Sequence, residues 1–377
     1  MTRISSVSAT PISVPLHTPF VTALRRTETT DTVVVTITDS DGRTGWGEAP
    51  QVWQVTGESL AGATACVETM LTPALVGHDL GDRDALAAVA ALAQRSVARN
   101  FGAKAAVDAA LHDLVAQGEG TTVAALLAGT TAALTGDLTS VLTSDVTLSA
   151  GAPEQLAETA RARVAEGFTT MKMKVGTDAA TDVSRVAAVR AAVGDRVDIR
   201  LDANQGWSRD EAVTVIRALH DADLGVEFVE QPLVADDVEG LAWVRERVGL
   251  PIMADESCYG LFDLERIIRL GAVDLVNVKL AKCGSLTVGR AMLRRAHEVG
   301  LGTIVGSMME SHIGLGAATS LVAAEPTTEV SDLDAAWWST RSPVVGGITY
   351  SGNEIRLAMG TGLGITGWRS DGAARSR

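Results

Sequence analysis

A chain of 377 residues is too long for one typical domain and comfortable for two. Its 46% hydrophobic and 21% charged content is that of a soluble globular protein, and a net charge of −14 argues against nucleic-acid and anionic-membrane partners, which call for a basic face. Cys66, Cys258 and Cys283 have no paired or metal-type spacing, which points to a reducing cytoplasm.

The N-terminus, MTRISSVSATPISVPL, alternates apolar and polar residues and predicts a strand rather than a signal peptide. No apolar run reaches the roughly 18 residues needed to span a bilayer. Strands are predicted over 4–15, 32–38 and 44–48, with Asp41-Gly42 as a hairpin turn between the last two. From 57 to 129 the composition becomes Ala- and Leu-rich with helical periodicity, as in DALAAVAALAQRSVARN and AKAAVDAALHDLVAQ. Strands followed by helices predict a separate α+β unit over 1–130.

The rhythm then changes. Eight short apolar runs follow, at 142–148, 169–175, 197–203, 225–231, 251–257, 274–280, 302–308 and 329–335, with helical patterns between them. Their interval of about 24 to 28 residues is one βα unit each. Eight such units predict a TIM-type (β/α) barrel over 131–340, with its chemistry at the C-terminal ends of the strands. A doubly wound open sheet competes, but rarely runs to eight even repeats. Residues 341–377 remain as a C-terminal segment, and the polar tail at 371–377 is expected to be disordered.

The strand ends carry charge. The second run ends in Lys172 and Lys174, the third in Asp202 and Asn204, the fourth in Glu230 and the fifth in Asp255. The sixth ends in Lys279 and the eighth in Asp332 and Asp334. Taken singly, each charge could mark where a strand exits into solvent. As a set on the inner side of a barrel they are costly unless paired or bound to a metal. Asp202, Glu230 and Asp255 fall on three neighbouring strands, and three clustered carboxylates ask for a hard cation such as Mg²⁺ or Mn²⁺. Lys174 and Lys279 flank them, so a metal-held carboxylate would have its α-carbon between two amines. That is the geometry of a two-base racemase or epimerase, in which the cation bears the enediolate charge. Lys172 beside Lys174, with the cation close by, is expected to lower the pKa of the base. Asp332 and Asp334 face the cluster from across the barrel and suit the ammonium of a dipeptide; the other reading is a helix cap.

KMKVG, LDANQGW, VEQP, MADES and NVKLAKCGS together resemble the enolase superfamily, specifically its muconate-lactonising subgroup, over essentially the whole chain to GITYSG and GLGIT. The resemblance implies that superfamily's general chemistry, a Lys base working beside Mg²⁺ that stabilises an enediolate. It implies a modified (β/α)7β barrel under a capping domain to which 341–377 returns. It implies Asp202, Glu230 and Asp255 as Mg²⁺ ligands and Lys174 and Lys279 as the acid/base pair. Lys172 would tune Lys174 and help neutralise the substrate carboxylate. The Asp-x-Asp at 332 and 334 is similar to that of dipeptide epimerases. TPFVTALR, GWGEAP and GSMMES are similar to the L-Ala-D/L-Glu pattern, which implies Arg25 or its neighbour Arg26 at the glutamate side chain and Ser307 and Met309 at the substrate. Trp53, in the cap loop QVWQVTG, is expected to shape the pocket.

The six histidines lack metal spacing and read as structural or exposed, His312 being the nearest to a strand end; Lys282 reads as part of a loop or following helix. An N-acylamino acid racemase or o-succinylbenzoate synthase would use the same lysines and metal but has no ammonium for the aspartate pair. A catalytically silent member with a binding role would have lost a ligand or a base, and none is lost here. A homo-oligomer is expected from the barrel's large outer faces.

Overall fold

The computed structural model describes residues 2–21, 26–129, 139–370 and, for the backbone, 374–375. The chain opens with β1 (Ile4–Val21), β2 (Arg26–Asp39) and β3 (Thr44–Pro50), which pair antiparallel in that order. Gly42 makes the predicted β2–β3 turn with φ at +82°, a conformation L side chains avoid. The helix Phe101–Gly118 lies against β3 and is buried from Gly102 to Ala116 on every face. It runs between the sheet and the rest of the protein, so it has no water-facing stripe. Its approach requires glycine in β3, because a Cβ on Gly45 or Gly47 would meet the carbonyl oxygens of Ala110 and Ala106 at 2.1 and 1.8 Å. These strands and helices form a cap.

Below the cap is a curled, all-parallel sheet. After β4 (Val141–Thr143) come β5 (Val146–Leu148), β6 (Thr170–Lys174), β7 (Asp198–Asp202), β8 (Val226–Glu230), β9 (Ile252–Ala254), β10 (Leu275–Lys279) and β11 (Gly302–Gly306). Strands β5 to β11 are neighbours in sequence order, successive strands being linked by one helix, or by two between β10 and β11. Both faces are covered, which is why β6, VTL of β5 and LVNVK of β10 are buried throughout.

Two strands depart from the even eightfold rhythm. The run at 142–148 breaks at Ser144: β4 leaves to pair with β14 (Glu354–Arg356) of a C-terminal hairpin, and only β5 joins the parallel sheet. The run at 329–335 is no strand; it closes the gap between the sheet edges through isolated bridges, Gly306 to Asp332 and Ser144 to Ser331. The barrel is therefore a seven-stranded sheet closed by a single extended segment. Two side-chain contacts explain this: Ser144 Oγ accepts Leu333 N–H, and Asp334 accepts Thr147 N–H, so polar side chains replace ladder bonds.

The remaining C-terminal strands are β12 (Val344–Gly346) paired with β15 (Ile365–Trp368), and β13 (Thr349–Ser351) paired with β14. Within the tail 371–377, expected to be disordered, β16 (Ala374–Arg375) adds to the edge of β1; the other tail residues lie outside those described.

Candidate active site

The parallel strands deliver their C-terminal side chains to one chamber under the cap. Its walls include Lys172, Lys174, Asp202, Asn204, Asp255, Glu256 and Lys279 from the sheet. Ser307, Met308 and Met309 follow β11, and Asp332 and Asp334 stand on the closing segment. The cap contributes Phe20, Val52, Gln54 and Val55. The predicted residues are thus brought together with two exceptions. Glu230 is fully buried and outside the chamber wall, in contact with the wall residue Lys172, whose Nζ is 2.6 Å away. Arg25 lies outside the described residues, while its alternative Arg26 is exposed, pairs with Glu28 at 3.1 Å and is not in the chamber wall.

Sheet order fixes the arrangement. Three carboxylate strands, β7, β8 and β9, sit side by side, and the lysine strands β6 and β10 close on them from either flank. Lys174 Nζ lies 2.6 Å from Asp202 Oδ2, and Lys279 Nζ lies 2.7 Å from Asp255 Oδ2. Lys172 Nζ is shared by Glu230 at 2.6 Å, Asp332 at 2.8 Å and Asp202 at 3.1 Å. One ammonium cannot neutralise three carboxylates. Glu230 accordingly stays above the ordinary glutamate range, through burial first and then the nearby Asp202 charge, even with Lys172 in contact. Burial would raise Asp202 and Asp255 too, but Lys172 and Lys174 at the first, and Lys279, Lys282 and Lys172 at the second, more than offset it and hold both below the usual range.

The buried carboxylates act in turn on two of the lysines. Burial alone would lower Lys172 and Lys279, yet the carboxylates around them raise both above the ordinary lysine value. At Lys279 the Asp255 charge outweighs the opposing Lys172 ammonium, and two further buried acids stand in the chamber wall, Glu256 and Asp334, both raised chiefly by burial.

That surplus bears on a cation. The available donors are all oxygens, the set that hard divalent ions prefer. Buried acceptors lack hydrogen bonds at Glu230 Oε2 (its contact with Lys172 lacks hydrogen-bond geometry), Asn204 Oδ1 and Glu256 Oε2. Among the described residues no three acidic groups already converge as a cation cage; ammoniums stand between them. The donor chemistry fits Mg²⁺ or Mn²⁺.

Asp332 and Asp334 both face the chamber, as their spacing predicts, but each is engaged. Asp332 accepts from Lys172, while Asp334 Oδ2 accepts from Thr147 N–H at 2.7 Å and Trp338 Nε1 at 2.9 Å. No helix follows them, so the capping alternative falls. His312 is half-buried outside the chamber wall, edge-on to Tyr350 at 6.0 Å, and desolvation lowers its pKa to about 4. Trp53 is 61% exposed and lines outer clefts, leaving Val52, Gln54 and Val55 to shape the chamber.

Three groups escape a reading of the sequence. Lys282 sits in the short helix after β10, within the loop or following helix that the sequence gives it, but its full burial against Asp255 is not foreseen; its signal is the i, i+3 spacing from Lys279. Glu256 is hidden by its neighbour Asp255. Glu48, in β3, accepts Ser311 N–H at 2.7 Å, Ser311 Oγ–H at 2.6 Å and Gly314 N–H at 2.8 Å, joining the cap to the helix His312–Ala324.

Comparison with known proteins agrees on family. Residues 4–128 match the family described as mandelate racemase / muconate lactonizing enzyme, N-terminal domain, and residues 155–369 match the enolase C-terminal domain-like family. The chain is 38% identical to the L-Ala-D/L-Glu epimerase of Bacillus subtilis, covering 97% of both chains. The substrate-liganded structure of that enzyme superposes with a TM-score of 0.92, covering 97% of this chain and 99% of the other. The hydrophobic dipeptide epimerase of Enterococcus faecalis is 34% identical over 97% of this chain and 99% of its own. Its complex with Mg and L-Leu-L-Tyr gives a TM-score of 0.89, at 97% and 99% coverage. The N-succinyl-L-Arg/Lys racemase of Bacillus cereus is 31% identical, covering 96% and 95%.

Proposed function

Since the chain belongs to the mandelate racemase / muconate lactonizing enzyme family and is an isomerase, we propose that it is a dipeptide epimerase. It would invert the α-carbon of a dipeptide's C-terminal residue by two-base proton transfer. The observation that carries this reading is the sheet order, in which Lys174 and Lys279 approach one chamber from opposite flanks of the three carboxylate strands.

Each lysine acts on its own face of the α-carbon: one takes the proton as a neutral amine, the other returns a proton as an ammonium. Lys172, held against Asp202, Glu230 and Asp332, neutralises the substrate carboxylate and sets the charge felt by Lys174. Asp202, Glu230 and Asp255 would hold Mg²⁺, or Mn²⁺ in its place. When bound, the cation supplies electrostatic stabilisation of the charge developing on the carboxylate oxygens. Asp332 and Asp334 face the substrate's ammonium, and Ser307 and Met309 bound its far side. The cap over 1–130 with the return segment 341–377 excludes water above the barrel over 131–340. Three free buried cysteines support a reducing cytoplasm as its place.

The side-chain preference leans to Ala-Glu, on the L-Ala-D/L-Glu motifs and the 38% relative; Arg25 is its proposed partner for glutamate. The test is a panel of L-Ala-L-Glu, L-Leu-L-Tyr and N-succinyl-L-lysine with Mg²⁺, followed by chiral chromatography. Inversion of dipeptides and not of the N-succinyl compound is expected. Inversion of the N-succinyl compound alone would move the assignment to the racemase branch, which shares the lysines but offers no ammonium to the aspartates.

A further inference from the structure

A buried ammonium away from the chamber acts on it through one of the carboxylates. Lys282 lies in the one-turn helix Leu280–Cys283 that follows β10, and it is fully buried. A buried charge is costly unless it is paired and its hydrogens are satisfied. Here all three ammonium hydrogens have acceptors: Asp255 Oδ1 at 2.5 Å, the Asn277 carbonyl at 3.0 Å and the Asp255 carbonyl. Lys282 does not line the chamber, and with every donor used it has none left for a substrate.

Its partner is divided between two lysines. Asp255 Oδ2 takes Lys279, which lines the chamber, and Oδ1 takes Lys282, which does not. The two cations have different freedom. Lys279 must leave Asp255 to move a proton, whereas Lys282 grips the Asp255 side chain and main chain together. The same stretch reaches a second carboxylate, since Asn277 Nδ2 donates to Glu230 Oε1 at 2.9 Å. Gly284, with φ at +77°, ends the one-turn helix, its N–H donating to the Leu280 carbonyl.

We propose that Lys282 is a positioning residue that pins Asp255 by its Oδ1 and its carbonyl, presenting Oδ2 to a divalent cation and leaving Lys279 releasable. This rests on the reading of Asp255 as a cation ligand. Without Lys282, Asp255 can turn so that Lys279 takes both its oxygens, and the cation competes with an ammonium for a mobile carboxylate. Partners that orient a metal ligand in this way typically change affinity by about 10- to 100-fold when removed.

The experiment is Mn²⁺ titration of the metal-free protein, read by electron paramagnetic resonance, for the wild type, Lys282→Met and Lys282→Arg. The Met variant keeps the length and loses the donors; the Arg variant keeps charge and donors. The expected result is a Kd raised about tenfold or more in Lys282→Met, with part of the loss recovered in Lys282→Arg. Thermal melts of the metal-free proteins run in parallel. A lower Tm with a Kd within about twofold of wild type would make Lys282 merely structural and overturn the proposal. If Lys282→Met does not fold, Lys282→Gln, which keeps a donor but loses the charge and the reach, decides, a Kd within about twofold of wild type again overturning the proposal. A wild type that binds Mn²⁺ but inverts no dipeptide would sink the substrate assignment and leave this result standing. A wild type that binds no Mn²⁺ would sink the ligand reading and this proposal with it.

Discussion

Glu310 shows how burial without a counter-ion shapes a single residue. It is buried beside Glu48, its Oε1 accepts Met308 N–H at 2.9 Å, and burial followed by the Glu48 charge raises its pKa to about 8. The unfolded chain ionises this group near 4.5, so between that pH and about 8 the folded protein keeps a proton that the unfolded chain has lost. Unfolding then releases a proton, and raising the pH favours it. Glu310→Gln mimics the neutral acid and keeps the acceptor for Met308. The wild type is expected to lose on the order of a few kcal/mol between about pH 5.5 and 8.5, and the variant distinctly less. Urea midpoints at the two pH values measure it; equal slopes in both proteins would show that Glu310 titrates normally. Lys172 carries the related lesson. A linear sequence does not count the carboxylates that three other segments bring to its ammonium.

At the scale of elements, the cap is tied to the barrel by hydrogen bonds that cross a long sequence gap. Glu48 closes the N-terminus of the helix His312–Ala324, satisfying donors that the helix itself leaves open. Glu48→Gln would turn an NH₂ group towards at least one of these donors. A loss of about 1–3 kcal/mol in unfolding free energy is expected, measured by denaturant titration. No change would mean that the helix end finds other partners. Such tertiary staples are not legible in a sequence: GWGEAP and GSMMES stand out as motifs, but nothing in them says that Glu48 meets Ser311. The parallel strands are legible because their apolar runs, buried on both faces, differ sharply from the helices between them. The segment 329–335 imitates such a run. Its mixture of Val330, Leu333 and Ala335 with polar residues is equally served by an extended connector whose Leu333 N–H donates to Ser144 Oγ and whose Asp334 carboxylate accepts Thr147 N–H.

For the whole molecule, β6 and β10 are separated in sequence by the entire carboxylate group, and only the curl of the sheet brings Lys174 and Lys279 to one chamber. The regular βα interval makes that convergence predictable. The sequence allows Lys282 its place in a helix after β10, but a three-residue spacing from Lys279 does not reveal that its side chain is fully buried. The central claim is that the two lysines serve opposite faces of one α-carbon. Its most direct test is α-proton exchange in D₂O, by NMR, for both epimers of a dipeptide substrate with the wild type, Lys174→Ala and Lys279→Ala. The wild type is expected to exchange and invert both epimers. Each variant should lose inversion by about 10²-fold or more while still exchanging the proton of one epimer, the opposite one in each case. Inversion surviving undiminished in either variant would contradict a two-base site.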